Sequence, residues 1–226
     1  MTTLAVPLSQ DQIHIANQLH CRLAQWVLSD NALHVLAKAF PGWSPEASLL
    51  KVTAINQLYS TNIFAVGRMA EHIVAVMHAT PSTHYDVDLV ESIAKVQRNV
   101  GVSDYRHHTS FASKFAHFFV DADRFVIYDA IAIQMVKYHL GRGRYKQDTK
   151  HPYQAFVRNL GRMRTYANLT CSNRDLDHYL WVAGQYRKWR NSGREAPINA
   201  ELRLLFTDPP SDIQAQLDAL LPSHAL

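Results

Sequence analysis

Lys114 and Asp129, fifteen residues apart, are the residues of this chain best suited to do chemistry. Lys114 lies one turn into a predicted apolar helix, close to Phe111 and Phe115. An amine among aromatic side chains loses solvation, which favours its neutral, nucleophilic form. Asp129 is predicted to begin the next helix, where backbone N–H groups and the helix dipole stabilise a carboxylate.

A desolvated amine and a fixed carboxylate are what cleavage of an N-glycosidic bond requires. The carboxylate stabilises positive charge on the sugar, and the amine can attack the anomeric carbon and form a Schiff base. Each residue also has a simpler interpretation. Asp129 can be a helix N-cap alone, and Lys114 can be a side chain that reaches from an amphipathic helix to solvent.

The elements that must position these residues are predicted to be helices. Apolar residues recur at helical spacing over 13–27, 45–58 and 63–77, and further helices are predicted over 110–119, 152–167, 173–190 and 210–221. Cap residues are predicted at Ser44, at Asp86 or Asp88 (before a short helix through Val96), at Asp129, at Ser172 and at Ser211. Residues 99–109 are predicted to be a loop and residues 125–128 a buried connector, so we predict an all-α protein of two helical lobes forming one unit, 1–226.

Several classes of protein are excluded by composition. No apolar run reaches 18 residues, which argues against a membrane-spanning helix. Cys21 and Cys171 have no metal-ligand spacing, and no two histidines lie three or four residues apart, so no metal and no organic cofactor are expected. Phosphate-loop, dinucleotide-binding and serine-hydrolase motifs are absent. The two cysteines and the start of the chain, which does not resemble a signal peptide, predict a cytoplasmic location.

Positive charge is concentrated in the second half of the chain. Residues 1–90 carry 4 basic and 6 acidic residues, whereas residues 91–226 carry 19 basic and 13 acidic residues. Residues 137–164 alone hold 8 basic residues against one acidic residue. This asymmetry indicates a polyanion as partner, although a solvated basic helix face would give the same pattern.

Three segments resemble motifs of the helix-hairpin-helix DNA glycosylases. The sequence SFASKFA over 110–116 resembles the second half of the motif G-[VI]-G-x-K-x-A, with Lys114 on the catalytic lysine and with Ser110 and Ala112 in place of glycines. The sequence FVIYD over 125–129 resembles the apolar segment that ends in the catalytic aspartate. Residues 59–66 resemble the helix start that 8-oxoguanine glycosylases use against DNA, with Asn62 on a DNA-contacting asparagine.

The order of these segments, across residues 50–140, resembles the bacterial 8-oxoguanine-glycosylase-like branch, some members of which act against phages with modified DNA. The resemblance implies a two-lobed helical fold with a degenerate helix-hairpin-helix motif, and a monomer that binds double-stranded DNA. Asp129 and Lys114 would be catalytic, with AP-lyase activity through the lysine. DNA contacts are expected at Asn62, His107, His108, Ser110, Arg142, Arg144 and Lys146. For the two histidines and for the basic loop over 142–146, a solvated loop without such contacts is the alternative.

Four questions are left open by the sequence. The nucleophile can be Lys114 or a water molecule. Tyr179, Trp181 and Tyr186 can wall a base pocket or belong to the core. The excised base can be an oxidised purine or a bulky phage base such as glucosylated hydroxymethylcytosine. The alternative to an enzyme is a non-catalytic DNA-binding module that keeps the fold.

Overall fold

The computed structural model describes residues 3–97 and 104–221, apart from the side chain of Arg194. This part of the chain is all-α, as predicted, with one two-stranded sheet. Its helices are α1 Gln10–His20, α2 Ala24–Ala39, α3 Pro45–Leu58, α4 Val66–Ala79, α5 Val87–Ala94, α6 Thr109–Phe119, α7 Ala130–Leu140, α8 Pro152–Ala167, α9 Asn173–Ser192, α10 Ala200–Thr207 and α11 Ser211–Leu220. Within these residues, no helix is both long enough and apolar enough to cross a bilayer.

Polar residues before the helices set most helix starts. Ser44, Asp86, Asp129 and Ser172 each accept a hydrogen bond from a backbone N–H group of the first turn, which confirms them as N-caps. The prediction for Ser211 was wrong, because α11 begins at this residue and its N-cap is Pro210. The apolar pattern over 13–27 also predicted one continuous helix wrongly, because a turn at 21–23 separates α1 from α2.

Two short strands are the main elements that the sequence pattern did not predict. Strands β1 Lys95–Gln97 and β2 Tyr105–His107 pair antiparallel, with Val96 opposite Arg106. The predicted loop over 99–109 therefore contains a strand at its end, and its residues 99–103 lie outside the described part of the chain. Val96 belongs to β1 rather than to the preceding helix, and α4 begins at Val66 rather than near Ile63. Residues 125–128 form a connector without regular structure, as predicted.

The chain divides into two compact units. Unit 1 consists of Met1–Leu28, Asp129–Lys146 and Arg158–Leu226, and unit 2 of Ser29–Tyr128 and Gln147–Val157. In unit 1, α9 packs against α1 and α7, and α11 packs against α1. In unit 2, α3 packs against α4 and α6, and α5 packs against α6.

A half-buried carboxylate joins the second segment of unit 2 to the first. Glu91, in α5, accepts hydrogen bonds from the backbone N–H groups of Tyr153 and Gln154, at 2.9 and 3.1 Å, and so caps the start of α8. The hydroxyl of the fully buried Tyr153 donates to the carbonyl of Val126 at 3.0 Å. The connector over 125–128 is thereby fixed from the side of α8.

The close contact of α9 with α7 depends on Gly184. A Cβ atom at Gly184 would lie 2.3 Å from Cγ2 of Ile131 and 3.1 Å from Cγ of Met135. We expect Gly184→Ala to lower the free energy of unfolding by about 1–3 kcal/mol, because the packed helices must move apart. Gly161, in the middle of α8, has nothing within 4 Å of such a Cβ, so Gly161→Ala should instead raise stability by about 0.5–1 kcal/mol. Urea unfolding of the two variants measures the difference, and shifts of the same sign would contradict the packing argument.

A buried histidine in unit 1 makes stability depend on pH. His139 is held neutral, because Nδ1 donates to the carbonyl of Val6 at 3.0 Å and Nε2 accepts from the Tyr179 hydroxyl at 2.8 Å. Burial lowers the pKa of His139 from 6.5 to about 4. Between these values the unfolded chain binds a proton that the folded chain does not bind. Stability is therefore lost as the pH falls, by about 3 kcal/mol from this residue alone.

We expect His139→Gln to flatten the loss of stability between pH 7 and pH 4, even if the variant is less stable at pH 7. Urea unfolding at several pH values gives the slope for each protein. His14→Gln, which changes an exposed histidine of the same unit, should keep the wild-type slope. A slope in His139→Gln equal to that of the wild type would show that other groups cause the acid sensitivity.

Candidate active site

Lys114 is buried within α6, as its apolar neighbours predicted. Its side chain is 5% exposed, and Nζ donates a hydrogen bond to Oγ of Ser110, one turn earlier, at 2.9 Å. Nζ also lies 5.9 Å from the centroid of the Tyr59 ring. A buried amine needs such polar and aromatic neighbours, because burial removes the water that would otherwise solvate it.

Tyr59 is hydrogen-bonded to a buried aspartate, Asp30. The Tyr59 hydroxyl donates to Oδ1 of Asp30 at 2.7 Å, and Asp30 is only 6% exposed. The tyrosine therefore connects a buried carboxylate to the surroundings of the Lys114 amine. Asp30 could not be predicted from the sequence, because a single acidic residue in an amphipathic helix carries no spacing signal that links it to α6.

The connector that leads to Asp129 is bonded to the helix that carries Lys114. The buried Ser113 hydroxyl accepts from the Tyr128 backbone N–H at 2.9 Å and donates to the Ser110 carbonyl at 3.1 Å. Nδ1 of His117, which is also buried, donates to the Phe125 carbonyl at 2.7 Å. Two polar side chains of α6 thus hold both ends of the segment 125–128.

Asp129 caps helix α7. One oxygen of its carboxylate accepts from the Ala132 backbone N–H at 2.8 Å, and the side chain is half-buried. The N-cap part of its interpretation is therefore confirmed, and the positive end of the helix dipole complements its charge. Asp129 belongs to unit 1, whereas Lys114 and Ser110 belong to unit 2.

Ser110 and Ala112, which stand where the glycosylase motif has glycines, both lie inside α6. Ser110 is in the first turn, and its hydroxyl serves the Lys114 amine. Helices α5 and α6 pack against each other, with β1 and β2 in the chain between them. The segment is therefore built as a helix, a two-stranded sheet and a second helix.

Asn62 lies exposed in a tightly constrained loop between α3 and α4. Ser60 and Asn62 both have left-handed backbone conformations, with φ of 47° and 58°. Asn56, in α3, fixes the end of this loop through two hydrogen bonds. Its Oδ1 accepts from the Ile63 N–H at 2.8 Å, and its Nδ2 donates to the Ile63 carbonyl at 3.0 Å. Phe64, which follows, is 84% exposed. The loop therefore exposes the Asn62 amide and the Phe64 ring, and its backbone is fixed by the bonds from Asn56.

The two adjacent histidines face different surroundings. His107 ends β2 opposite Lys95 and is exposed. His108 is half-buried and lines a cavity of about 350 Å³ with Arg106, Val96 and Phe64. Burial lowers the pKa of His108, and the charges of Arg106 and His107 lower it further.

The basic loop after α7 is exposed but anchored. Arg142, Arg144 and Lys146 all have exposed side chains. Asn159 fixes the loop through the Lys146 backbone, accepting from its N–H at 3.0 Å and donating to its carbonyl at 2.7 Å. The Arg144 guanidinium also donates to the Thr3 carbonyl. The three cations of this loop therefore sit on a fixed backbone in unit 1.

The three aromatic residues of α9 belong mainly to the core of unit 1, the alternative that the sequence left open. Tyr179 is 0% exposed and bonded to His139, so it offers no surface for a base. Tyr186 is buried against Trp189 and Phe206. Trp181 is half-buried, with its ring centroid 4.5 Å from that of Trp26.

Comparison with curated proteins and comparison with solved structures both found no match. A family model named HI_0787_N, described as an N-terminal domain, matches residues 11–123, which is half of the chain. The matched part includes Asn62, His108 and Lys114 and ends before Asp129. The chain therefore belongs to the HI_0787_N family.

Proposed function

We propose that the protein is a DNA glycosylase that removes a modified or damaged base, with Asp129 and Lys114 as its catalytic residues. The observation that carries the proposal is the burial of the Lys114 amine beside Ser110 and Tyr59. The glycosylase resemblance assigns the nucleophile to this position. A lysine attacks carbon through its neutral amine, and removal from water favours the neutral form over the charged one.

In the proposed reaction, the target nucleotide leaves the stack before chemistry occurs. The Asp129 carboxylate stabilises positive charge on the sugar as the bond between C1′ and the base breaks and the base takes the bonding electrons. The Lys114 amine bonds to C1′, loses a proton, and forms a Schiff base when the sugar ring opens. Elimination from this Schiff base nicks the strand, which is the proposed AP-lyase activity, and water then releases the lysine.

The partner that we propose is double-stranded DNA, bound by a cytoplasmic monomer. Arg142, Arg144 and Lys146 support this choice, because exposed cations on an anchored loop suit contacts with backbone phosphates. The base is an oxidised purine or a hypermodified cytosine of phage DNA, the latter implying antiviral defence. Assays of base release from ordinary, oxidised and glucosylated phage DNA separate these substrates.

A second candidate function is a non-catalytic DNA-binding module. The 5% exposure of Lys114 favours it, because a nucleophile must reach the sugar. Ser110 and Ala112 also replace the glycines that allow a close approach of backbone to phosphate. Binding of all DNA substrates without base release from any of them would select this candidate.

We expect Asp129→Asn to reduce base release about a hundredfold or more, equivalent to roughly 3–4 kcal/mol of transition-state stabilisation. Asparagine is as good an N-cap as aspartate, so α7 and DNA binding should persist. Single-turnover base release, DNA affinity and thermal unfolding are measured together. Asp86→Asn, at the N-cap of α5, is the matched control and should keep wild-type activity. A folded Asp129→Asn protein with near-wild-type turnover would refute the catalytic role.

We expect Lys114→Gln to lose both strand nicking and the adduct that borohydride traps on DNA with an abasic site, because the amide cannot form a Schiff base. Lys51→Gln is the matched control: Lys51 is also buried in unit 2, and burial lowers its pKa. This control should keep the adduct. If the wild-type protein releases base but borohydride traps no adduct, water is the nucleophile. The glycosylase proposal then stands without a covalent role for Lys114.

A further inference from the structure

The ribbon formed by β1 and β2 in unit 2 has a buried face and an exposed face. Side chains alternate along a strand, so Val96 and its partner Arg106 share one face and the other four residues share the opposite one. Val96 is buried and lines the cavity, which places its face against the rest of unit 2. The opposite face, here called the outer face, consists of four exposed residues: Lys95, Gln97, Tyr105 and His107.

The outer face is basic and rich in hydrogen-bond donors. Lys95 pairs across the ribbon with His107, and its Nζ lies 4.4 Å from the centroid of the Tyr105 ring. This contact holds the amine over the ring without neutralising its charge, and all three side chains carry donor groups. Arg106 adds a second exposed charge, neither strand contains an acidic residue, and Asp104, just before β2, is half-buried. Charge complementarity therefore favours an anionic partner.

The dimensions of the ribbon suit the major groove of double-stranded DNA. Two paired strands lie about 4.8 Å apart, and three residues extend about 10 Å, the length of roughly three base-pair steps. The major groove, about 12 Å wide, admits a two-stranded ribbon, whereas the minor groove, about 6 Å wide, must first be opened. The major groove of double-stranded RNA is too narrow for side chains to reach the bases. Shape and charge together therefore favour DNA as the partner.

We propose that the outer face enters the major groove of double-stranded DNA, where the Lys95 amine donates to N7 and O6 of guanine. Guanine presents both acceptors in this groove, and lysine is one of the two side chains that most often bind them. Tyr105 and His107 contact the neighbouring bases. The contact rests on the proposed function for its partner, double-stranded DNA, and is made by unit 2 alone. It adds base recognition to the phosphate contacts expected of the loop over 142–146.

Two duplexes of the same sequence test this contact, one with guanine and one with 7-deazaguanine in its place. The analogue has a CH group instead of N7, so it lacks one acceptor in the major groove while the phosphates and the minor groove stay the same. We expect the full chain to bind the 7-deazaguanine duplex at least about threefold more weakly, because a charge-assisted hydrogen bond is lost. Base release from both duplexes is measured in the same samples, so that affinity is compared on intact DNA.

We expect Lys95→Gln to weaken binding of the guanine duplex at least about fivefold and to bind the two duplexes equally, because the amine that contacts N7 is gone. Lys95 is exposed, so the fold should tolerate the change, which thermal unfolding checks. Lys38→Gln, which changes an exposed lysine of α2 in the same unit, is the matched control. It should keep both the affinity and the preference for guanine.

A preference for guanine that Lys95→Gln abolishes and Lys38→Gln keeps supports the proposal. A wild-type protein that binds neither duplex or binds both equally overturns it, as does a Lys95→Gln variant that keeps the preference. Failure of the glycosylase proposal is seen separately. A protein that recognises guanine through Lys95 but releases no base from any substrate is a DNA-binding module. A protein that releases base without this preference is an enzyme in which the ribbon does not enter the groove.

Discussion

The burial of the Lys114 amine is a constraint that residues from several segments of unit 2 must satisfy together. Removing an amine from water costs several kcal/mol unless neighbouring groups replace the lost solvation. The Ser110 hydroxyl supplies a hydrogen bond at 2.9 Å, and the Tyr59 ring lies 5.9 Å away. Tyr59 is in turn oriented by its bond to Asp30. Residues of α2 and α6 and the residue that follows α3 therefore have to be in place together around this one position.

The same helix also fixes the chain that leads to Asp129. Ser113 and His117 are buried polar residues of α6, and each is satisfied by the connector over 125–128. The Tyr153 hydroxyl, in the first turn of α8, donates to the same connector. Glu91 caps the start of α8 and so holds Tyr153 in place. A buried polar network of this kind is stable only when every member is satisfied. The connector is thus held by three side chains rather than by strand pairing.

Sequence reasoning succeeded where one local rule decides the structure. Ser44, Asp129 and Ser172 cap helices because a side-chain oxygen replaces the missing partner of a first-turn N–H, and this needs no knowledge of the rest of the chain. Features that depend on contacts between distant segments could not be predicted. Strands of three residues show no alternation long enough to detect, and the cavity beside β2 exists only because α4 meets these strands. The bond from Tyr59 to Asp30 is equally invisible to spacing.

The two buried lysines of unit 2, Lys51 and Lys114, can be compared by the contacts that each makes in the fold. Lys51 donates to the Gly42 carbonyl at 2.7 Å and lies 4.2 Å from the centroid of Trp43, so its bond fastens the loop before α3 to the helix. The buried amine of Lys51 therefore stabilises the fold. Asp129 also stabilises the fold, because an N-cap contributes about 0.5–2 kcal/mol to the stability of its helix. The bond from Lys114 to Ser110 lies within α6, and the Tyr59 ring, just after α3, adds an aromatic neighbour 5.9 Å from the amine. The contacts that offset the lost solvation of this amine therefore also fix its position, as Lys51 is fixed by its bond to Gly42.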